Sequence, residues 1–449
     1  MKRLILFVLL YVWLGIFAFS QELLNEGAYF FQGVYHSSGD TTGASDVWGW
    51  TAPDGTDYAI MGTSTGTAFI RTSDMAVTGF VPGPEDNDYY YHRDIKTYKH
   101  YAYVVSEMTG LNQGLQIIDM STMPAGANLV TAKTDFNIRS HNMSIDTLQG
   151  FAYVISQDYE DLYMLDLSDP EVPVVVGILT EPGMHDVFAR NDTIWLASGT
   201  SFSVWDLRDK SNPQLITRIT DANFGYCHNI WPTDDSQYFI TTEETPNKTV
   251  KVWDMKDPLN TTMIGEYLGE CDIAHNVHVM GDSVYISHYA SGVKVIDISD
   301  KTNPIEVGYF DTYNKDDEPG FYGCWGVYPF TASGQIYASS FEGWLHVVDF
   351  DRPGVSIDPT GSNLSGVKVS PNPFSSETHI SFDLKKSGQV SVKIVDLMGK
   401  VVADLGTEEK QTGPKTFSWS PKESLTSGIY LYKITSETGQ TSGKIWLKK

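Results

Sequence analysis

Residues 274–310 read AHNVHVMGDSVYISHYASGVKVIDISDKTNPIEVGYF. Four runs rich in Val, Ile and Tyr, separated by Gly-Asp, Ala-Ser-Gly and Asp-Lys-Thr-Asn-Pro, predict four short strands joined by turns. The runs lie around Asn276–Val279, Val284–His288, Gly292–Ile298 and Ile305–Phe310. The same unit of about 45 residues is written seven times between Trp48 and Asp349. Each copy opens on a dipeptide: Trp48-Gly49, Arg93-Asp94, His141-Asn142, His185-Asp186, His228-Asn229, His275-Asn276 and Trp325-Gly326. Most copies carry a third strand ending in aspartate, as in Val204-Trp205-Asp206 and Val293-Lys294-Val295-Ile296-Asp297. A proline follows in Asn212-Pro213 and Asn303-Pro304, where it ends that strand and presets the turn to an outer one. No window shows sustained helical periodicity. A four-stranded unit recurring at this period predicts an all-β chain folded as a seven-bladed β-propeller.

The seventh unit lacks a fourth strand, because after Val347-Val348-Asp349 the chain turns to Arg352-Pro353-Gly354. A strand-like stretch near 28–35 has no unit of its own and is expected to complete the last blade, removing an exposed sheet edge. Lys2-Arg3, the apolar run Leu4–Phe17 and Ala18-Phe19-Ser20 read as a secretory signal over residues 1–20, with an uncleaved anchor as the alternative. The propeller is placed at 21–350, a Pro/Gly/Ser linker at 351–366, and a small Ig-like β-sandwich at 367–449, where apolar and polar residues alternate and lysines accumulate.

The net charge of −25 belongs to the repeat region, since residues 366–449 carry 12 Lys against 8 Asp and Glu. Nucleic acid and anionic membranes are therefore poor partners. Three cysteines, Cys227, Cys271 and Cys324, do not make a disulfide framework; one bridge between neighbouring units is left open. No tight Cys or His spacing points to a metal, and no cofactor is expected.

The first strand of a propeller blade is innermost, so the opening dipeptides converge on one rim of the central channel. The candidate binding residues are Arg93, Asp94, His141, Asn142, His185, Asp186, His228, Asn229, His275 and Asn276. Converging imidazoles suit a metal, an anion or acid–base work. Repeated polar residues equally suit satisfaction of backbone groups between blades. Glu107, Asp158 and Glu243-Glu244 fall near the ends of second strands and read as part of a solvated acidic face. The sequence contains no P-loop, nucleophile elbow, zincin helix or EF-hand loop.

Tyr101–Glu107, Gly114–Asp119, His228–Asp235 and Ile286–Tyr289 resemble the LVIVD-type repeat, in particular that of the choice-of-anchor B family. That resemblance covers nearly all of residues 28–350 and implies an exported propeller with no established activity. Ser370-Pro371-Asn372-Pro373-Phe374, Val392–Lys400 with Gly399, Gly428-Ile429-Tyr430 and Gly443–Leu447 with Lys444 resemble the type A sorting domain of the type IX secretion system. It implies the secretion machinery as a partner, removal of the domain, and surface-polysaccharide attachment or release outside a Gram-negative cell. The expected function is a secreted or surface binding module with an extracellular ligand. A secreted hydrolase or lyase using the histidine rim, and a structural surface-layer component, are the alternatives.

Overall fold

The computed structural model describes residues 20–31, 34–35, 41–85, 92–136, 138–156, 158–269, 273–313, 319–350, 364–372, 374–395, 401–422, 425–426, 428–436 and 439–448. The expected signal segment up to residue 19, the linker to residue 363, Cys271, Pro373 and Gly399 lie outside them. The chain divides into two compact units, Met1–Phe350 and Asp351–Lys449. Both are all-β, and among the described residues the one helical turn is a 3₁₀ turn at Pro258–Asn260, capped by Asp257.

In the first unit, antiparallel four-stranded sheets follow one another along the chain. They open with Ala44–Thr51, Arg93–Tyr98, Ser140–Asp146, Asp186–Arg190, Cys227–Pro232, Val277–Met280 and Cys324–Tyr328, each of which lies at one edge of its sheet. The last sheet takes its outer strand from the N-terminus: Leu24–Phe30 pairs antiparallel with Trp344–Asp349, a few residues ahead of the stretch near 28–35 that the sequence suggests. Gln21–Glu22 adds a parallel fifth strand to the sixth sheet, a pairing with no sequence signal.

Local chemistry explains the repeat. The aspartates ending third strands accept from the backbone N–H two residues on, as Asp206 does from Arg208 and Asp297 from Ser299. A second such turn follows at once, Asp209 to Ser211 and Asp300 to Thr302, so Asp-x-x-Asp closes these two connections. Gly177 and Gly265 sit in outer strands where a Cβ would lie 2.1 Å from Lys210 O and 2.3 Å from Lys301 O. The turn of one sheet thus abuts the outer strand of the one before, and only glycine allows that approach.

The core consists of apolar seams between neighbouring sheets rather than one central mass. Tyr103, Val105 and Ile117 pack against Met143, Val154 and Leu165, and Ile240 and Val252 against Val277, Val284 and Ile286. Ala44, Val47 and Met61 of the first sheet pack against Tyr337, Leu345 and Val347 of the last. Second strands such as Tyr101–Ser106 are buried on both faces, which is why they read as unbroken apolar runs.

The second unit has a three-stranded sheet, Leu364–Ser370, Thr378–Leu384 and Gly413–Trp419, and a four-stranded sheet, ordered Val401–Lys410, Gly388–Val395, Gly428–Ser436, Gly439–Leu447. Ile380, Phe382, Val392, Ile394, Trp419 and Ile434 fill its interior. Phe374 N–H donates to Trp446 O at 2.9 Å and Asn372 Oδ1 accepts from Trp446 N–H at 2.7 Å. The Pro371-Asn372 stretch is thereby fastened to the last strand. Gly428 begins its strand with φ 155°, and the Lys444 backbone pairs with Leu431.

Candidate functional site

The opening dipeptides divide into two roles. Their second members tie neighbouring first strands together. Asp46 Oδ2 accepts from Ile95 N–H at 3.2 Å, Asp94 Oδ2 from Met143 N–H at 2.6 Å, Asn142 Oδ1 from Val187 N–H at 3.1 Å and Asn229 Oδ1 from Val277 N–H at 3.2 Å. Asp186 Oδ2 accepts from the Asn229 amide at 2.6 Å. Asn276 Oδ1 has no hydrogen-bond partner among the described residues. The first unit's counterpart is therefore Ser45-Asp46; Trp48-Gly49, its opening in the sequence reading, lies further along the strand.

The first members form a circle of rings. Centroids of His92 and His141 are 4.2 Å apart, His141 and His185 4.1 Å, His185 and His228 4.2 Å, and His228 and His275 4.4 Å. Trp325 joins His275 at 5.0 Å and His92 at 5.5 Å, completing the circle. Each of the six is at most 6% exposed. Arg93, a candidate by sequence, is not in it. Its guanidinium turns away to Thr63 O at 2.7 Å and Pro84 O at 2.6 Å, and the preceding His92 takes its place.

Carboxylates and tyrosines from second-strand ends back the circle. Glu107 Oε1 lies 3.0 Å from His141 Nδ1 and accepts from Tyr159 OH at 2.5 Å. Glu244 accepts from Tyr289 OH and lies 3.9 Å from His228 Nε2. Asp186 lies 3.1 Å from His185 Nδ1 and 3.7 Å from His228 Nδ1. His275 Nδ1 lies 2.6 Å from Trp325 O. The solvated-face reading of Glu107 and Glu244 is thus corrected, because both side chains are largely covered and lie against the histidines. Glu243 is fully buried and ion-paired with Lys251, whereas Asp158 is exposed.

These surroundings set the charges. Burial disfavours charge on Glu107 and His141, yet their contact overrides it, taking Glu107 down to about 2 and raising His141. Burial, reinforced by neighbouring imidazoles, holds His92 and His228 well below the usual histidine range. Burial takes His275 down to about 3. Burial also disfavours the Asp186 anion, but His228 and His185 bring it well below the ordinary carboxylate value. The circle therefore holds the neutral imidazoles of His92, His228 and His275 near the ionised carboxylates of Glu107 and Asp186. Two groups, His141–His185–Asp186 and His228–Glu244–His275, each bring one nitrogen or oxygen per residue within 4.8 Å of one another.

A second feature was missed by sequence reasoning. Two residues beyond each dipeptide's second member stand Trp48, Lys96, Ser144, Phe188, Trp231, His278 and Tyr328. Period-two alternation gives both positions one face of the strand. Most of these residues line a cavity of about 320 Å³, with Arg190 and Phe330 beside them. Trp231 lies 4.3 Å from Phe188 and 4.5 Å from His278, and Trp48 4.8 Å from Tyr328. Lys96 stands 4.4 Å above Trp48 while paired with Asp94 at 2.5 Å.

Comparison with known families identifies two parts of the chain. Residues 368–448 match the secretion system C-terminal sorting domain. Residues 273–312, the sixth sheet with His275, match the LVIVD repeat. No curated protein matches the chain. The sorting domain marks a protein secreted or surface-localised in Bacteroidetes and implies interaction with the type IX machinery. Among the described residues no helix is long and apolar enough to cross a membrane.

Proposed function

We propose that residues 21–350 are a seven-bladed β-propeller of the choice-of-anchor B kind, acting outside the cell as a binding module through its histidine-lined mouth. The apolar seam between the last and first sheets, with Ser339 Oγ donating to Ser45 O at 2.5 Å, supports a closed ring of blades. The matched repeat supports the same architecture. On export, the sorting domain is removed and the propeller is attached to surface polysaccharide or released.

One observation carries the binding reading: the Asp and Asn members of the dipeptides take backbone N–H groups of the neighbouring first strands, whereas the imidazoles of His141 and His275 meet a carboxylate and a carbonyl. Scaffold alone does not require five buried histidines in a circle with three carboxylates. The test is the thermal stability of His185→Gln/His228→Gln in the full chain. A fall in melting temperature smaller than that from removing an Asp/Asn link is expected. A fall as large as that from removing the Asp/Asn links would make the histidines scaffold and end the binding reading.

A second reading, an acid–base enzyme, is favoured by the Tyr159–Glu107–His141 chain, in which the Glu107 contact raises the basicity of the His141 imidazole. It predicts hydrolase or lyase turnover that Glu107→Gln abolishes.

A further inference from the structure

We propose that the histidine mouth binds divalent first-row transition-metal ions, with zinc as the reference case, at two adjacent sites: His141–His185–Asp186 and His228–Glu244–His275. This deepens the binding reading above and rests on it.

The donors are already gathered. Within each group the ligand atoms lie within 4.8 Å of one another, and bonds of roughly 2.1 Å at tetrahedral angles require about 3.4 Å. Small side-chain rotations close that difference. Two donors are buried and, among the described residues, make no hydrogen bond of good geometry: the Nδ1 atoms of His185 and His228. The Asp186 carboxylate stands near them, at 3.1 Å and 3.7 Å. A buried nitrogen without a partner is costly unless something occupies the space it faces.

The outer histidines carry the supporting contacts that metal-binding imidazoles use. Glu107 holds His141 Nδ1 at 3.0 Å, and the Trp325 carbonyl holds His275 Nδ1 at 2.6 Å. Either contact orients the ring and assigns coordination to Nε2. Tyr159 and Tyr289 in turn fix Glu107 and Glu244 by donating to them. The groups thus have ligands and a second layer of support, built from different sheets.

The donor set selects the ion. Two imidazoles and one carboxylate suit zinc, cobalt, nickel or copper, whereas calcium and magnesium prefer sets composed of oxygen. Three protein ligands leave a position open for water or for an anionic group of an extracellular ligand. Asp186 and Glu244 place one carboxylate at each site, offsetting part of the cation's charge.

The experiment uses the purified full chain, stripped with a chelator and titrated with zinc chloride, with bound zinc read by elemental analysis and affinity by calorimetry. Two equivalents are expected in wild type. His185→Gln and His228→Gln each lose one, and Glu107→Gln weakens binding about 10- to 100-fold without abolishing it. Cobalt(II) on wild type provides a readout independent of any variant: visible ligand-field bands that zinc displaces are expected. The proposal is overturned by wild type that keeps no stoichiometric zinc and shows only the spectrum of aqueous cobalt. It is equally overturned by folded variants that bind zinc as wild type does. Absent metal with unchanged melting of the ring variants ends this proposal and leaves the mouth a binding site. Ring variants that melt like the link variants end both.

Discussion

Replacing Asn142 with leucine isolates a single link between neighbouring sheets. Its Oδ1 accepts from Val187 N–H at 3.1 Å, and Val187 is only 7% exposed. Leucine is close in volume, so no large cavity opens, but the Val187 N–H loses its acceptor. An unsatisfied buried donor costs about 1–3 kcal/mol. The first unit runs to Phe350, and at about 2.1 cal/mol/K per residue its unfolding entropy is about 0.7 kcal/mol/K. The melting temperature should therefore fall by about 1.5–4 °C, read by differential scanning calorimetry at neutral pH. The adjacent link, Ala189 N–H to Ser144 Oγ at 3.0 Å, remains. Removing it as well with Ser144→Ala should roughly double the fall, since the two links are separate bonds. Hydrogen exchange localises the effect: the Val187 amide should lose protection in the single variant and the Ala189 amide only in the double one. Unchanged melting together with unchanged Val187 protection would refute the assignment of the links to the Asp and Asn residues.

Two further outcomes follow from the same geometry. Gly177→Ala would set a Cβ 2.1 Å from Lys210 O, and the forced backbone shift should destabilise the unit by about 1–3 kcal/mol in denaturant titration; an unchanged midpoint would show that the outer strand does not abut the turn. Burial lowers His288 and His346 to about 4 in the folded state, so the unfolded chain takes up protons that the folded chain refuses. Stability should accordingly be lost as pH falls from about 6.5 to about 4, by up to about 1.4 kcal/mol per pH unit for each histidine. His346→Phe should flatten that slope in urea unfolding measured across this range, and an unaltered slope would count against its being neutral when folded.

Much of the fold is written locally. Asp206 and Asp209 specify the paired turns through bonds to residues two positions on. The apolar runs of the second strands follow from burial on both faces, and the unpaired stretch near residues 28–35 is visible because the seventh unit is one strand short. The lysine-bearing C-terminal region announces its sorting motif in a contiguous run from Ser370 to Phe374. Such features survive in one dimension because the interacting residues are neighbours in the chain.

The site was legible only in part. Histidines at a fixed place in the repeat mark the circle of rings, but the sequence alone did not separate the linking residue from the one that joins the circle. That division follows from strand-to-strand register, in which Asn142 meets Val187 and Asn229 meets Val277. Arg93 occupies the repeat position of an imidazole, yet it finds the Thr63 and Pro84 carbonyls and leaves His92 to complete the circle. Glu107 and Glu244 resemble surface acids until the packing of one sheet against the next buries them beside His141 and His228. The sequence by itself determined the unit, its turns and the period at which chemistry recurs. Only the tertiary structure decided which of those recurring groups meet, because residues some 45 positions apart come within bonding reach through side-by-side packing of the sheets.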